Sequence, residues 1–142
     1  ATLISSLFLA SCESNFFRVT IQNNSSDTLQ VDYIAFDGPD TLDQFHPYFR
    51  HIRPSSIVGS LVDVKQDSLT KINTFFIPPG RTCSLIHLMN MDLEHLPGLV
   101  LCKKMEIIKG ADTLISAKNE GTSALFKHIV ESHEVDWLLV VE

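Results

Sequence analysis

The sequence predicts an all-β protein: an Ig-like antiparallel β-sandwich of about seven strands, with one short helix near 123–132. Three observations carry that expectation. Short segments alternate apolar and polar residues with period two, Pro and Gly clusters punctuate them, and a nearly continuous apolar run closes the chain. The first alternating segment is 17–22, where Phe17, Val19 and Ile21 share a face. Asn23-Asn24-Ser25-Ser26-Asp27 forms a loop, and Leu29, Val31, Tyr33 and Ala35 resume the alternation, a β-hairpin signature. Asp37-Gly38-Pro39-Asp40 ends that strand, and an irregular stretch runs to Pro54. Val58, Val62 and Val64 mark a further strand. The segments 72–77 and 83–89 flank Pro78-Pro79-Gly80 and read as another strand pair. A second hairpin is expected from 99–108 and 112–117 around Lys109-Gly110-Ala111-Asp112. Ser123 can cap a helix to about residue 132 that places Leu125, Phe126, Ile129 and Val130 on one side. The apolar run 135–141 around Trp137 suits a central or doubly covered strand.

The totals bound the rest. At 142 residues, 44% hydrophobic and 20% charged, the chain fits one domain with a substantial core and does not fit a disordered chain. Its net charge is −6, and Lys103-Lys104 is its largest basic cluster. A nucleic-acid partner would need a basic face to neutralise phosphates, so none is expected. No composition shift marks a second domain within 13–142.

The N-terminus is set apart from that domain. Residues 1–12 are apolar and uncharged, and polar Glu13-Ser14-Asn15 follows at once. The stretch is shorter than the about 20 residues that a membrane-spanning helix needs, and it has the form of a secretory h-region ending in small residues. A basic segment is expected ahead of Ala1. Leu9-Ala10-Ser11-Cys12 resembles the lipobox of bacterial lipoproteins. By that resemblance residues 1–12 are a lipoprotein signal peptide, Cys12 receives a diacylglyceryl group, and the domain is tethered to a membrane through it. Two or more acyl chains, at about 0.8 kcal/mol per buried methylene, make such an anchor lasting.

A broader likeness lies in the layout. The lipobox, a strand ending in Ile21-Gln22-Asn23-Asn24-Ser25-Ser26, a later Ile77-Pro78-Pro79-Gly80 before a strand, and a closing strand after His133 are similar to small cell-envelope lipoproteins of Bacteroidetes. The likeness implies the Ig-like sandwich and a place in the bacterial cell envelope, as an outer-membrane lipoprotein facing either the periplasm or the outside. It brings no catalytic residue with it. Asp-Ser/Thr followed by an aliphatic residue also resembles the O-glycosylation motif of that group's exported proteins, which makes Thr28, Thr41, Ser68 and Thr113 candidate acceptors. The other reading of these sites is that Asp-Thr pairs begin strands after turns.

Residues that could carry chemistry are sparse. The six histidines include no His-Glu-x-x-His or His-x-His arrangement, and no Cys-x-x-Cys is present, so no metal or cofactor is expected. Cys83 and His87 share parity on one strand but stand about 13 Å apart, beyond hydrogen-bond reach. In 99–108 the core face is Leu101, Met105 and Ile107; parity places Cys102 opposite with Lys104 and Glu106, which argues for two separate thiols over a Cys83–Cys102 bridge. The segment 45–54 is the richest: Phe45, His46, Tyr48, Phe49, Arg50, His51 and Arg53 combine aromatic and cationic side chains typical of binding surfaces. The same aromatics could instead fold back and plug the open end of the sandwich. The functional expectation is a non-enzymatic, lipid-anchored module that binds an envelope protein or an extracellular ligand. A small hydrolase or metal-dependent enzyme with a site assembled only in the fold, and a structural subunit of an envelope assembly, are the alternatives.

Overall fold

The computed structural model describes residues 16–35, 63–89 and 101–142. Two sheets pack face to face. The chain forms β1 (Phe16–Asn23), β2 (Leu29–Ile34), β3 (Lys65–Gln66), β4 (Ile72–Ile77), β5 (Thr82–Met89), β6 (Lys104–Lys109), β7 (Asp112–Lys118), α1 (Glu120–Ala124), β8 (Lys127–Glu131) and β9 (Glu134–Val141). The order is β5-β1-β9-β8 in one sheet and β3-β4-β2-β6-β7 in the other. The fold is therefore the all-β sandwich expected, with nine strands among the described residues rather than about seven, and with one pairing, β1 with β9, parallel rather than antiparallel.

Period two builds the core. Phe17, Val19 and Ile21 from β1, with Val135, Trp137 and Val141 from β9, face Leu29, Val31 and Tyr33 from β2, Phe75 and Ile77 from β4, and Met105 and Ile107 from β6. The closing run is a central strand, as its composition implies: β9 lies between β8 and β1 and runs parallel to β1. The β6–β7 hairpin also forms as expected, with Gly110 at φ 63 in its turn, where a residue with a Cβ would be strained.

Three expectations are corrected. β1 and β2 do not form a hairpin, and neither do β4 and β5. In each case the turn carries the chain from one sheet to the other, so the paired neighbours are β1 with β5 and β2 with β4. The helix is shorter and earlier than 123–132. It ends where Phe126, buried in the core, donates its N–H to the Ser123 carbonyl, and the β-branched Ile129-Val130 beyond it pair with β9 as strand β8. Ser123 donates its hydroxyl to the Glu120 carbonyl and caps nothing. Of the Val58–Val64 strand, 58–62 lie outside the described residues, and Val64 precedes the two-residue β3.

The connections sort by end. The turns after β1, β4 and β6 lie at one end, where Asn24 donates to the Val141 carbonyl and Gly80 to that of Asn23. Phe16, His133, Ile34 and Lys104 lie at the other. There Phe16 N–H donates to the His133 carbonyl and Lys103 N–H to that of Ile34.

Tyr33 is packed edge-on against Phe75 in the core, and its hydroxyl is buried with no hydrogen-bond partner among the described residues. Burial, then the neighbouring Cys102, raises its phenol well above the ordinary value of 10. A hydroxyl stripped of water without compensation costs stability, so Tyr33→Phe is expected to stabilise the protein by about 1 kcal/mol. Chemical denaturation of the two proteins measures this, and a loss of more than about 1 kcal/mol would show that the hydroxyl has a partner.

Candidate functional site

On the outward face of the five-stranded sheet, the period-two alternation that fills the core presents polar residues from β2, β4 and β6 side by side. Asp32 is central. Register places Thr74 on one side of it and Glu106 on the other. Thr74 donates its hydroxyl to Asp32 Oδ1 at 2.7 Å, and the Gln30 amide donates to Oδ1 at 3.0 Å and Oδ2 at 3.2 Å. Glu106 is held in turn by the Lys104 ammonium at 2.8 Å. Two depressions meet at Asp32. A broad, open one of about 400 Å³ is lined by Asp32, Lys65, Gln66, Asp67, Thr70, Ile72 and Thr74. A narrow one of about 40 Å³ continues past Tyr33 and Ile34 to Lys104 and Glu106.

The rim of the broad depression is a turn built by Asp67. Its Oδ1 accepts the backbone N–H groups of Leu69 at 2.8 Å and Thr70 at 3.0 Å, and the Thr70 bond, then that of Leu69, lowers its pKa. That turn projects Ser68 into solvent and leaves Leu69 91% exposed. The shelf thus offers oriented carboxylate acceptors, amide and hydroxyl groups, and the Lys65 and Lys104 cations. Such a set suits a polar ligand laid across the face through hydrogen bonds. None of it stood out in the sequence, because Asp32, Thr74 and Glu106 are far apart in the chain and each looks like an ordinary outward strand residue.

Of the residues named from sequence, Cys12, Thr41 and the whole of Phe45, His46, Tyr48, Phe49, Arg50, His51 and Arg53 lie outside the described residues. Thr28, Ser68 and Thr113 are all exposed. The aliphatic residue after each sets them apart: Leu29 is buried in the core, whereas Leu69 and Leu114 are exposed. His128 stacks on Trp137 with ring centroids 4.1 Å apart, and His133 sits in the β8–β9 turn. Among the described residues no group of three or more His, Cys, Asp or Glu converges as a metal site.

Both thiols are free and buried. The placement of Cys102 with the outward residues is corrected: it precedes β6, where the alternation has not begun, and its Sγ lies 3.3 Å from the Lys104 carbonyl in the interior. Leu101, Met105 and Ile107 face the core as expected. Cys83 and His87 do not keep a common parity. A register shift opposite Val19 and Thr20 sets Cys83 against Ile21 but His87 against Arg18. Burial pushes each thiol from an ordinary 9 up to about 12. A shift of that size cuts the thiolate fraction near pH 8 by about a thousandfold, so the native protein should resist alkylation that the unfolded chain accepts at both positions. These raised values also set a direction with pH. The stability contributed by the neutral thiols is complete below pH 9 and is lost as pH rises toward about 12, because only the unfolded chain releases the protons early. Melting at successive pH values checks the sign, and a stability that rose over that range would refute it.

The fold and the shelf define a β-sandwich with an open sheet face that sets Asp32, Thr74 and Glu106 near the exposed Phe76. No family model matches the chain, nor does any curated protein or solved structure.

Proposed function

We propose that this chain is an exported, lipid-anchored protein of the bacterial cell envelope that works as a non-enzymatic binding module. The observation that carries the binding reading is the Asp32 shelf. Its carboxylate is held ready by Thr74 and Gln30 beside an open depression, with the Lys65 cation within the same lining. The lipobox sequence at Cys12 supports the anchor, and the chain's geometry accommodates it. From Cys12 to Phe16, the first residue of β1, is four residue steps, a reach of at most about 14 Å. An anchored sandwich would therefore stand close to the bilayer on the end that holds Phe16 and His133. The 45–54 segment is a second candidate surface for an envelope protein or an extracellular ligand. Among the described candidate glycosylation sites, Ser68, followed by the exposed Leu69, is the best presented.

Two measurements test the reading. Cys12→Ala should abolish lipid labelling and move the protein from the membrane to the soluble fraction; retention in the membrane would sink the anchor. Soluble protein applied to arrays of glycans and peptides should bind at least one class, and Asp32→Ala should weaken that binding about tenfold or more, the usual cost of a lost charged hydrogen bond. Binding that ignores Asp32→Ala but is lost on replacing Tyr48, Phe49 and Arg50 with Ala would transfer the site to the 45–54 segment.

A further inference from the structure

Each sheet has outer strands, and an outer strand left long, flat and regular is a template for pairing with another chain. Among the described strands, three of the four outer ones are blunted. β3 is two residues long. β5 carries an extra residue, Leu85, where the register shifts opposite Val19 and Thr20, and β7 carries one, Leu114, where it shifts between Ile107 and Ile108. β8 is the exception: its five residues pair with β9 in unbroken register, and no strand pairs with its other side among the described residues.

The two charged ends of β8, Lys127 and Glu131, are unmatched as they stand. Glu131 lies directly across from Glu134, a like-charge pair, and Lys127 lies across from Leu138. Neither Lys127 nor Glu131 has an ion-pair partner among the described residues. Val130 is 72% exposed although it follows a strand pattern and faces the same side as the buried Val135.

We infer that β8 pairs antiparallel with β8 of a second copy of this chain, about a two-fold axis through Ile129. The sequence Lys127-His128-Ile129-Val130-Glu131 is self-complementary in that register. Lys127 of each copy meets Glu131 of the other and brings it a cation, as Arg18 at 3.6 Å already does for Glu134. Each Val130 covers the other copy's His128, whose ring already lies on Trp137. A centre on Ile129 works in either phase of the antiparallel ladder, because opposed residues alternate between bonded and unbonded pairs. The result is one continuous eight-stranded sheet with an isologous contact. Antiparallel pairing turns one copy end for end. The two Phe16 residues then lie at opposite ends of the joined sheet, which on anchored chains fits copies on facing surfaces and not neighbours on one. The pairing itself needs neither the anchor nor the shelf.

The test is the solution mass of the unlipidated full chain by sedimentation, as wild type, Lys127→Glu, Glu131→Lys and the double swap. The wild type should sediment as a dimer of the 15.9 kDa chain. Each single swap turns two attractions into two repulsions and should weaken the dimer by roughly tenfold to a hundredfold, and the double swap should restore it. Amides of 127–131 should also gain protection from hydrogen exchange as the wild-type concentration rises, a reading that needs no substitution. A wild type monomeric at every concentration, or a dimer indifferent to both single swaps, overturns the proposal.

Discussion

Replacing Trp137 with Ala is expected to cost about 3–5 kcal/mol and to lower the melting temperature by roughly 10 °C or more. Trp137 stands on the central strand β9, opposite Val19 of β1 on one side and His128 of β8 on the other, and it is 2% exposed. Phe17 meets it edge-on at 5.4 Å with the rings 84° apart, and the His128 ring lies flat on it, 10° from parallel. Truncation removes the partner of both rings at once and opens a cavity that the two sheets, locked by their hydrogen bonds, can close only in part. Trp137→Phe, which keeps an aromatic face, should cost less than half as much. His128→Ala should cost about 1 kcal/mol or less, since that ring is exposed and covers the indole from outside. Thermal melts of the three variants decide it. A shift under about 3 °C for Trp137→Ala would mean that the indole is not a keystone of the core.

The sequence made these strands legible because their alternation is local. Val135, Trp137 and Val141, or Leu29, Val31 and Tyr33, declare a buried face within a few residues. Pairing is not local. A polar loop such as 23–27 or a Pro-Pro-Gly turn reads alike whether the next strand returns to the same sheet or crosses to the other. The short helix was misplaced for a related reason. Leu125, Phe126, Ile129 and Val130 fit a helical stripe in spacing, but β9 offers residues 127–131 a full ladder of hydrogen bonds and Phe126 an interior site. The shelf was invisible because it joins residues more than forty positions apart: Asp32 and Thr74 meet only when β2 pairs with β4. Cys102 was misread by carrying a strand's parity past the strand's first residue.

Asn23 shows what a motif can conceal. The run Asn23-Asn24-Ser25 looks like any polar turn, yet Asn23 is wholly buried. Its amide nitrogen donates to the Ile77 carbonyl at 2.9 Å and to that of Asp27 at 2.8 Å, and its amide oxygen accepts Ser25 N–H at 2.9 Å and the Ser25 hydroxyl at 2.6 Å. Ile77 ends β4 in the other sheet, so one side chain ties the two sheets together at the end where the chain crosses between them. Asn23→Ala would strand several buried polar atoms at about 1–3 kcal/mol for each one left unpaired, and a total loss of about 3–5 kcal/mol is expected. Asn23→Asp is the sharper test, because it keeps the shape and removes only the donors. A carboxylate there would face two carbonyl oxygens in the interior, so its pKa in the folded protein must lie above its unfolded value. The stability of that variant should therefore be greatest in acid and fall as pH rises through the folded value, a slope that wild type lacks at this position. Denaturation curves of both proteins at about pH 4 and about pH 7 measure it. Equal losses at the two pH values would show that the side chain reaches water, and that Asn23 does not join the sheets.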